Sequence, residues 1–213
     1  MIRELVLGGI LIGAAAAPAI AQDAASLNQM GIRYAQGDGV RQDYVTALKW
    51  YELAAANGSV AALGNIATLY FYGWGVPQSY EQAAKVLELA VNAGDPDAEN
   101  KLATLYDGGL GVTQDRAHAF ELYRQAAEQG YTPAMANLGR MYIEAQGTER
   151  NDEHGFALLR AAIDAGIPAS MTPMANQELQ AATARLDDSQ RVQATEDSKK
   201  LVAVVAPAAG VTR

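Results

Sequence analysis

The chain has 213 residues, a formal net charge of −8, two histidines and no cysteine. Without cysteine, disulfide staples, thiolate metal sites and thiol catalysis are excluded. An acidic chain that has no block of basic residues is not expected to bind nucleic acid or anionic lipid, because both require clustered Lys and Arg. The simpler account of the acidity is that it keeps the protein soluble.

The N-terminus has the anatomy of a secretory signal peptide. Arg3 precedes an apolar stretch at residues 5–17, Pro18 interrupts it, and the small-x-small pattern Ala19-Ile20-Ala21 stands ahead of Gln22. We therefore predict a signal peptide over residues 1–21 and export of the mature chain. The alternative is an uncleaved membrane anchor. It is disfavoured because the stretch is short for a bilayer and contains three glycines.

The following part of the chain repeats with a period of 36 residues. Two sets of residues stand 36 apart: Gly39, Gly75, Gly111 and Gly147, and Tyr34, Tyr70, Tyr106 and Tyr142. A fixed period of this length indicates one supersecondary unit stacked on copies of itself, whose product is a binding surface.

Each copy is predicted to contain two helices. Leu27, Met30, Gly31 and Tyr34 follow one another at the spacing of an apolar helix face. A glycine-rich turn then ends this first helix. The expected N-caps of the second helices share one repeat position and are Asp43, Ser79, Asp115 and Asn151. Glycines 58, 94, 130 and 166 stand where the second helices are expected to end.

The combined pattern of Leu-Gly-x-x-Tyr, Gly-x-Gly-Val, Asp-x-x-x-Ala and Ala-Ala-x-x-Gly resembles the Sel-1-like repeat, a relative of the tetratricopeptide repeat. The resemblance implies an all-α, right-handed α-solenoid of four helix-turn-helix repeats over residues 22–169. The copies are expected at about 26–61, 62–97, 98–133 and 134–169. The fourth copy departs from the pattern, because its turn carries Ala145 and Thr148 in place of Gly and Val.

Two segments follow the fourth copy. Thr172 and Pro173 suit the start of a helix, and Leu179, Ala182 and Leu186 continue an apolar stripe, so residues 170–188 are predicted to form a C-terminal capping helix. Residues 189–213 are predicted to be a disordered tail. Its apolar run at residues 201–207 has an alternative interpretation as a short strand or a recognition segment.

Few residues suggest chemistry. His118 and His154 occupy the same position in adjacent repeats and, with Glu121 or Glu153, could approach a metal-binding geometry. This position lies three residues after the N-cap, where side chains usually face solvent, so an exposed surface role is favoured. No nucleophile elbow, phosphate loop or metal motif is present in the sequence. We therefore expect no catalytic residue, metal site or cofactor, and we expect that the protein is not an enzyme.

By analogy with tetratricopeptide repeats, the resemblance implies that partners bind the concave wall formed by the first helices. The residues expected there are Asn28, Thr68, Phe71, Tyr72, Trp74, Asn100, Thr104, Asp107, Arg140 and Glu144. Inter-repeat packing is the alternative role of Phe71, Tyr72 and Trp74, because aromatic residues serve cores and interfaces alike. The outward-facing positions of the first helices vary between copies, whereas the packing positions repeat. Truncation of both Tyr72 and Arg140 to alanine is therefore expected to weaken partner binding and leave stability nearly unchanged.

These observations favour a periplasmic module that binds another protein or peptide segment of the bacterial envelope, as a scaffold or regulator. Two other functions are kept. One is an envelope enzyme acting on cell-wall material, which would require a carboxylate cluster or Ser/Lys pair that the sequence does not show. The other is a structural spacer, for which no aromatic binding residues would be expected.

Overall fold

A computed structural model describes residues 23–205. The predicted signal peptide at residues 1–21 and the last part of the predicted tail, residues 206–213, lie outside the described residues. The described part contains ten α-helices and no strand, in agreement with the predicted class. The helices are α1 (Ala24–Gln36), α2 (Tyr44–Ala56), α3 (Val60–Tyr72), α4 (Tyr80–Val91), α5 (Pro96–Gly108), α6 (Arg116–Glu128), α7 (Thr132–Glu144), α8 (Asp152–Ala165), α9 (Thr172–Arg185) and α10 (Asp188–Val205).

None of the described helices is long and apolar enough to cross a membrane. The helices belong to two compact units. The first unit ends at Asp95 and contains α1 to α4; the second begins at Pro96 and contains α5 to α10. Odd-numbered helices up to α7 are the predicted first helices of the repeats, and even-numbered helices up to α8 are the second helices.

The predicted N-caps of the second helices are confirmed. The Asp43 carboxylate accepts hydrogen bonds from the amides of Val45 and Thr46, so it satisfies donors that the first turn of α2 leaves free. Ser79, Asp115 and Asn151 cap α4, α6 and α8 in the same way. Because each bond spans only two or three residues, local sequence is sufficient to place these helix starts.

The core of the first unit depends on close approach between α1 and α2. Gly31 on α1 faces the buried ring of Tyr51 on α2, and a Cβ atom at Gly31 would overlap that ring. The neighbouring Ala47 and Ala54 are fully buried. A small residue on one helix therefore leaves room for a large one on the next, which produces dense packing.

The second unit packs in the same way. Its core contains Tyr123, Met135, Met141 and Leu159, each nearly or fully inaccessible to solvent. The fourth turn differs from the others as its sequence suggested, because Ala145 ends α7 in the left-handed conformation at φ 55°. Glycine occupies this position after α1 and α3 and adopts the same conformation without a Cβ penalty.

Two helices follow the fourth repeat, and the prediction of a disordered tail is wrong for residues 189–205. Helix α9 lies within the predicted capping segment 170–188, and α10 packs against α8. Asp187 and Gln190 begin α10 with a reciprocal capping box, in which each side chain accepts a hydrogen bond from the other's backbone amide. Ala194 and Ser198 are buried in the contact.

The signal for α10 was present in the sequence. Asp187 lies one 36-residue period after the N-cap Asn151, and Ser198 lies one period after the fully buried Ala162. Both residues therefore continue the repeat, although the surrounding sequence is polar. Helices α9 and α10 thus continue the repeat phase, but both pack mainly on α8 and not on each other.

Candidate functional site

The predicted binding residues fall into two groups, one in each compact unit. Asn28, Thr68, Phe71, Tyr72 and Trp74 belong to the first unit. The second unit holds Asn100, Thr104, Asp107, Arg140 and Glu144. Their roles as partner-binding residues stay predictions, whereas their contacts within the protein differ sharply between the two groups.

The predicted asparagines join neighbouring first helices. The Asn65 side-chain amide of α3 donates to the side-chain oxygen of Asn28 on α1 at 2.9 Å. In the second unit, Asn137 of α7 donates to Asn100 of α5 at the same distance. Asn65 and Asn137 were not predicted as site residues, although both occupy one position of the repeat. Part of the hydrogen-bonding capacity of Asn28 and Asn100 is therefore used within the protein.

A pocket of about 530 Å³ opens in the first unit. Trp74 and Thr68 were predicted at this site, and no lining side chain carries a formal charge. The Thr68 hydroxyl donates to the Gly64 carbonyl at 2.8 Å, so it retains only its capacity to accept. The complete lining consists of Ile32, Ala35, Gln36, Gln42, Tyr44, Tyr51, Asn65, Thr68, Leu69 and Trp74.

An aromatic cluster, consisting of Tyr44, Phe71, Tyr72, Trp74 and Tyr80, adjoins the pocket. Trp74 stacks with Tyr44 at a centroid distance of 5.2 Å and with Tyr72 at 4.6 Å. Phe71 meets Tyr72 and Tyr80 edge to face at 4.9 and 5.0 Å. Tyr72 is nevertheless 55% exposed and Trp74 41% exposed. These two rings therefore combine internal packing with a large free surface.

Tyr51 contributes a polar group to the pocket. The residue as a whole is only 3% exposed, but its hydroxyl has no hydrogen-bond partner among residues 23–205 and is not fully shielded from solvent. Burial raises the pKa of Tyr51 to about 12, so the hydroxyl is protonated at neutral pH. The ring itself packs on Gly31 in the core of the unit. No signal in the sequence indicates that its hydroxyl reaches the pocket.

The predicted residues of the second unit form an internal ionic network. The Arg140 guanidinium donates to Asp107 at 2.6 Å, to Glu144 at 2.8 Å and to the Gln146 side chain at 3.0 Å. Arg116 lies 3.5 Å from the other carboxylate oxygen of Asp107. Only 16% of the Arg140 side chain is exposed, and the same is true of Asp107. These contacts predict that truncation of Arg140 lowers stability, contrary to the expectation from the sequence.

Thr104, the remaining predicted residue of this unit, lies 3.0 Å from the hydroxyl of Tyr123 and bonds to it. Tyr123 holds the position in its repeat that Tyr51 holds in the first unit. The second unit therefore supplies an internal partner for its tyrosine hydroxyl, whereas the described part of the first unit does not.

The two histidines both lie on the surface. His118 meets the ring of Tyr106 edge to face at 4.5 Å, and His154 meets Tyr142 at 4.8 Å. Each therefore packs on the tyrosine of its own repeat that recurs every 36 residues. No group of three or more metal-ligating side chains occurs within the described part of the chain.

Comparison with known proteins decides the family. The Sel1 repeat model matches residues 24–59, 60–95, 96–131 and 132–167. The chain belongs to the Sel1-repeat family. The matched repeats have the predicted 36-residue period and begin two residues earlier than predicted. Sel1-repeat proteins generally mediate protein–protein interactions, and their fold is typically a non-catalytic scaffold.

Two solved structures are similar over most of this Sel1-repeat chain. A protective antigen of uropathogenic Escherichia coli that displays an SLR fold is 25% identical, with a TM-score of 0.77; the match covers 86% of this chain and 38% of the antigen. A Sel1 repeat protein from Oxalobacter formigenes is 27% identical, with a TM-score of 0.68, and the match covers 84% and 73%. No curated protein matches the sequence. The comparisons confirm the all-α, solenoid-type fold class. The chain spans well under half of the length of the E. coli antigen.

Proposed function

We propose that this Sel1-repeat protein is an exported interaction module that binds a segment of another envelope protein at the pocket of its first unit. The observation that carries the proposal is the pocket itself, together with the exposed rings of Tyr72 and Trp74 beside it. Large aromatic residues next to a pocket are the usual centres of binding energy at protein interfaces.

The Trp74 ring of the aromatic cluster is also preorganised for binding. Trp74 is stacked on two tyrosines, so its ring is held in place before a partner arrives. A rigid aromatic side chain loses little conformational entropy on binding, which preserves the affinity gained from burying its free surface. Loss of such a residue typically costs about 2 kcal/mol or more in binding free energy.

The proposed location rests on residues 1–21, whose charged start, apolar stretch and Ala-Ile-Ala ending are typical of a cleaved signal peptide. A mature chain beginning near Gln22 in the soluble envelope fraction would support export to the periplasm. Recovery of the chain from membranes with Met1 intact would contradict it.

The aromatic cluster also favours a binding role over that of a structural spacer. A spacer has no need to expose two large rings beside a pocket, because scattered polar residues are sufficient to keep a surface soluble. An enzyme acting on cell-wall material would require positioned acids, bases or nucleophiles. The pocket lining has no carboxylate, histidine or lysine.

The experiment is affinity capture from an envelope extract of the source organism, with the mature chain as bait. We expect a stoichiometric protein partner that is retained by the wild type and lost from Trp74→Ala. The control is Leu53→Ala, because Leu53 is a 47% exposed apolar residue of the same unit that does not line the pocket. Circular dichroism of each variant checks that the helices are intact. Failure to capture any partner, or equal capture by both variants, would contradict the proposal.

A further inference from the structure

The repeat allows the pocket of the first unit to be compared with the same place in the second. Each pocket residue has an equivalent two repeats further along the chain. The equivalent pairs are Ile32 and Thr104, Ala35 and Asp107, Tyr44 and Arg116, Tyr51 and Tyr123, Thr68 and Arg140, and Trp74 and Gln146. Tyr72 corresponds to Glu144.

In the second unit this place is filled by the protein's own ionic network. The guanidinium of Arg140 extends from the position of Thr68, and the carboxylates of Asp107 and Glu144 neutralise it. In the first unit the long cationic side chain is absent at this position, and the two carboxylate positions hold Ala35 and Tyr72. The pocket therefore occupies the place where the other unit positions a large side chain.

The same comparison restricts the charge of an occupant. The second unit surrounds its buried cation with two carboxylates at 2.6 and 2.8 Å, because removing an unpaired charge from water costs several kcal/mol. The first-unit pocket offers neither a carboxylate to a cation nor a Lys, Arg or His to an anion. Cation–π attraction to Trp74 would recover only about 1–2 kcal/mol. The pocket thus suits an uncharged group.

The hydrogen-bonding groups of the pocket restrict the occupant further. Asn65 and Gln42 already donate to other protein groups, and so does Thr68. The hydroxyl of Tyr123 in the second unit bonds to Thr104. The equivalent hydroxyl of Tyr51 has no hydrogen-bond partner among residues 23–205. The side-chain amide of Gln36 also lines the pocket and has no hydrogen-bond partner among residues 23–205, so the test must separate a sugar from an aromatic side chain. A flat ring with one polar group matches the stacked aromatic surface and the Tyr51 hydroxyl.

We propose that the pocket receives a tyrosine side chain of the partner polypeptide, whose ring packs beside Trp74 and Tyr44 and whose hydroxyl bonds to the hydroxyl of Tyr51. This inference rests on the proposed function and names the chemistry of its partner. It assigns to Tyr51 the selection of tyrosine over phenylalanine and to the uncharged lining the rejection of arginine and glutamate.

Model peptides test this specificity without the natural partner. The chain has two tryptophans, so Trp50→Phe leaves Trp74 as the sole fluorescent indole. Blocked tripeptides Gly-Xaa-Gly, with Tyr, Phe, Arg or Glu at the centre, are titrated into this variant alongside maltose. We expect tyrosine to bind about fivefold more tightly than phenylalanine, because one hydrogen bond contributes about 1 kcal/mol. The two charged peptides and maltose should bind more weakly still.

Two further variants test the residues. Tyr51→Phe removes only the hydroxyl, and it should make the affinities for the tyrosine and phenylalanine peptides equal. The double variant Ala35→Asp/Thr68→Arg recreates in the first unit the ion pair of Asp107 and Arg140, and it should reduce tyrosine binding at least tenfold. Leu53→Ala is the matched surface control, with unchanged affinity. If the double variant does not fold, Tyr51→Phe still decides the question.

The inference is overturned if the arginine peptide or maltose binds more tightly than the tyrosine peptide, or if Tyr51→Phe leaves the preference for tyrosine unchanged. The test also separates this inference from the proposed function. If wild type and the folded double variant capture a partner equally, the pocket is not the binding site, but the protein is still an interaction module. Selective tyrosine binding by a chain that captures no envelope protein would refute the proposed function and leave the pocket's specificity intact.

Discussion

Replacement of Arg140 by alanine tests whether the ionic network of the second unit holds its repeats together. Arg140 on α7 pairs with Asp107 on α5, so it joins the first helices of two adjacent repeats. Both side chains are only 16% exposed. The variant Arg140→Ala would leave the largely buried Asp107 carboxylate with Arg116, at 3.5 Å, as its remaining ion-pair partner.

The expected destabilisation follows from these contacts. The bond to Asp107 is charge-assisted and shielded from solvent, and its loss should cost about 2 kcal/mol. The pair with Glu144 is an i,i+4 contact with a carboxylate that is 33% exposed, and it adds about 0.5 kcal/mol. For a chain of this length, about 2.5 kcal/mol corresponds to a decrease in Tm of roughly 5–10 °C.

Thermal unfolding followed by circular dichroism measures this decrease. Arg160→Ala is the matched control, because Arg160 also forms an i,i+4 pair, with Asp164, but both side chains are more than 40% exposed. Its Tm should decrease by no more than about 2 °C, as expected for an exposed pair. An Arg140→Ala variant that unfolds within 1 °C of the wild type would refute the assigned structural role and make Arg140 available again as a binding residue.

Three further predictions concern the helix end at Ala145, the contact between α1 and α2, and the pH dependence of stability. Ala145→Gly should raise the free energy of unfolding by about 1 kcal/mol in urea denaturation, because glycine adopts the left-handed conformation at φ 55° without the penalty of a Cβ atom; an unchanged or lower value would show that no strain is relieved. Gly31→Ala should lower it by about 1–3 kcal/mol, because the new methyl group displaces the Tyr51 ring, and wild-type stability would contradict the tight packing. Burial, and then the charge of Glu144, raise the pKa of Glu178. The folded state therefore binds a proton at this carboxyl more readily than the unfolded state does. The contribution of Glu178 to stability decreases as pH rises from about 4.5 through its folded-state pKa. Glu178→Gln should remove that decrease in urea denaturation between pH 4 and 7, and a pH profile identical to the wild type would contradict the assignment.

Local interactions explain why much of the helical architecture could be predicted from the sequence. An N-cap such as Asp43 bonds to amides two and three residues away, and the helix it starts needs no distant partner to be placed. The apolar stripe of α1 and the left-handed glycines likewise depend on the local chain. Repetition strengthened each of these signals, because the same residue types recur every 36 positions.

The C-terminal helix shows where local sequence was insufficient. Residues 189–200 are polar, and their composition resembles that of a disordered tail. Helix α10 is stabilised by packing on α8, which buries Ala194 and Ser198. The periodic placement of Asp187 was the available clue, but the contact itself joins segments distant in the chain.

The functional surface was decided by tertiary structure. Sequence alone assigned Thr68 and Arg140 to one variable position of the repeat, and it gave them the same role. Arg140 is committed to Asp107, 33 residues away, while Thr68 leaves a pocket with the Tyr51 hydroxyl beside it. The period determined which positions are equivalent. Only the folded arrangement determined which of them are filled by the protein's own side chains and which remain open, because that depends on how far each side chain extends and on what lies opposite it on the neighbouring helix.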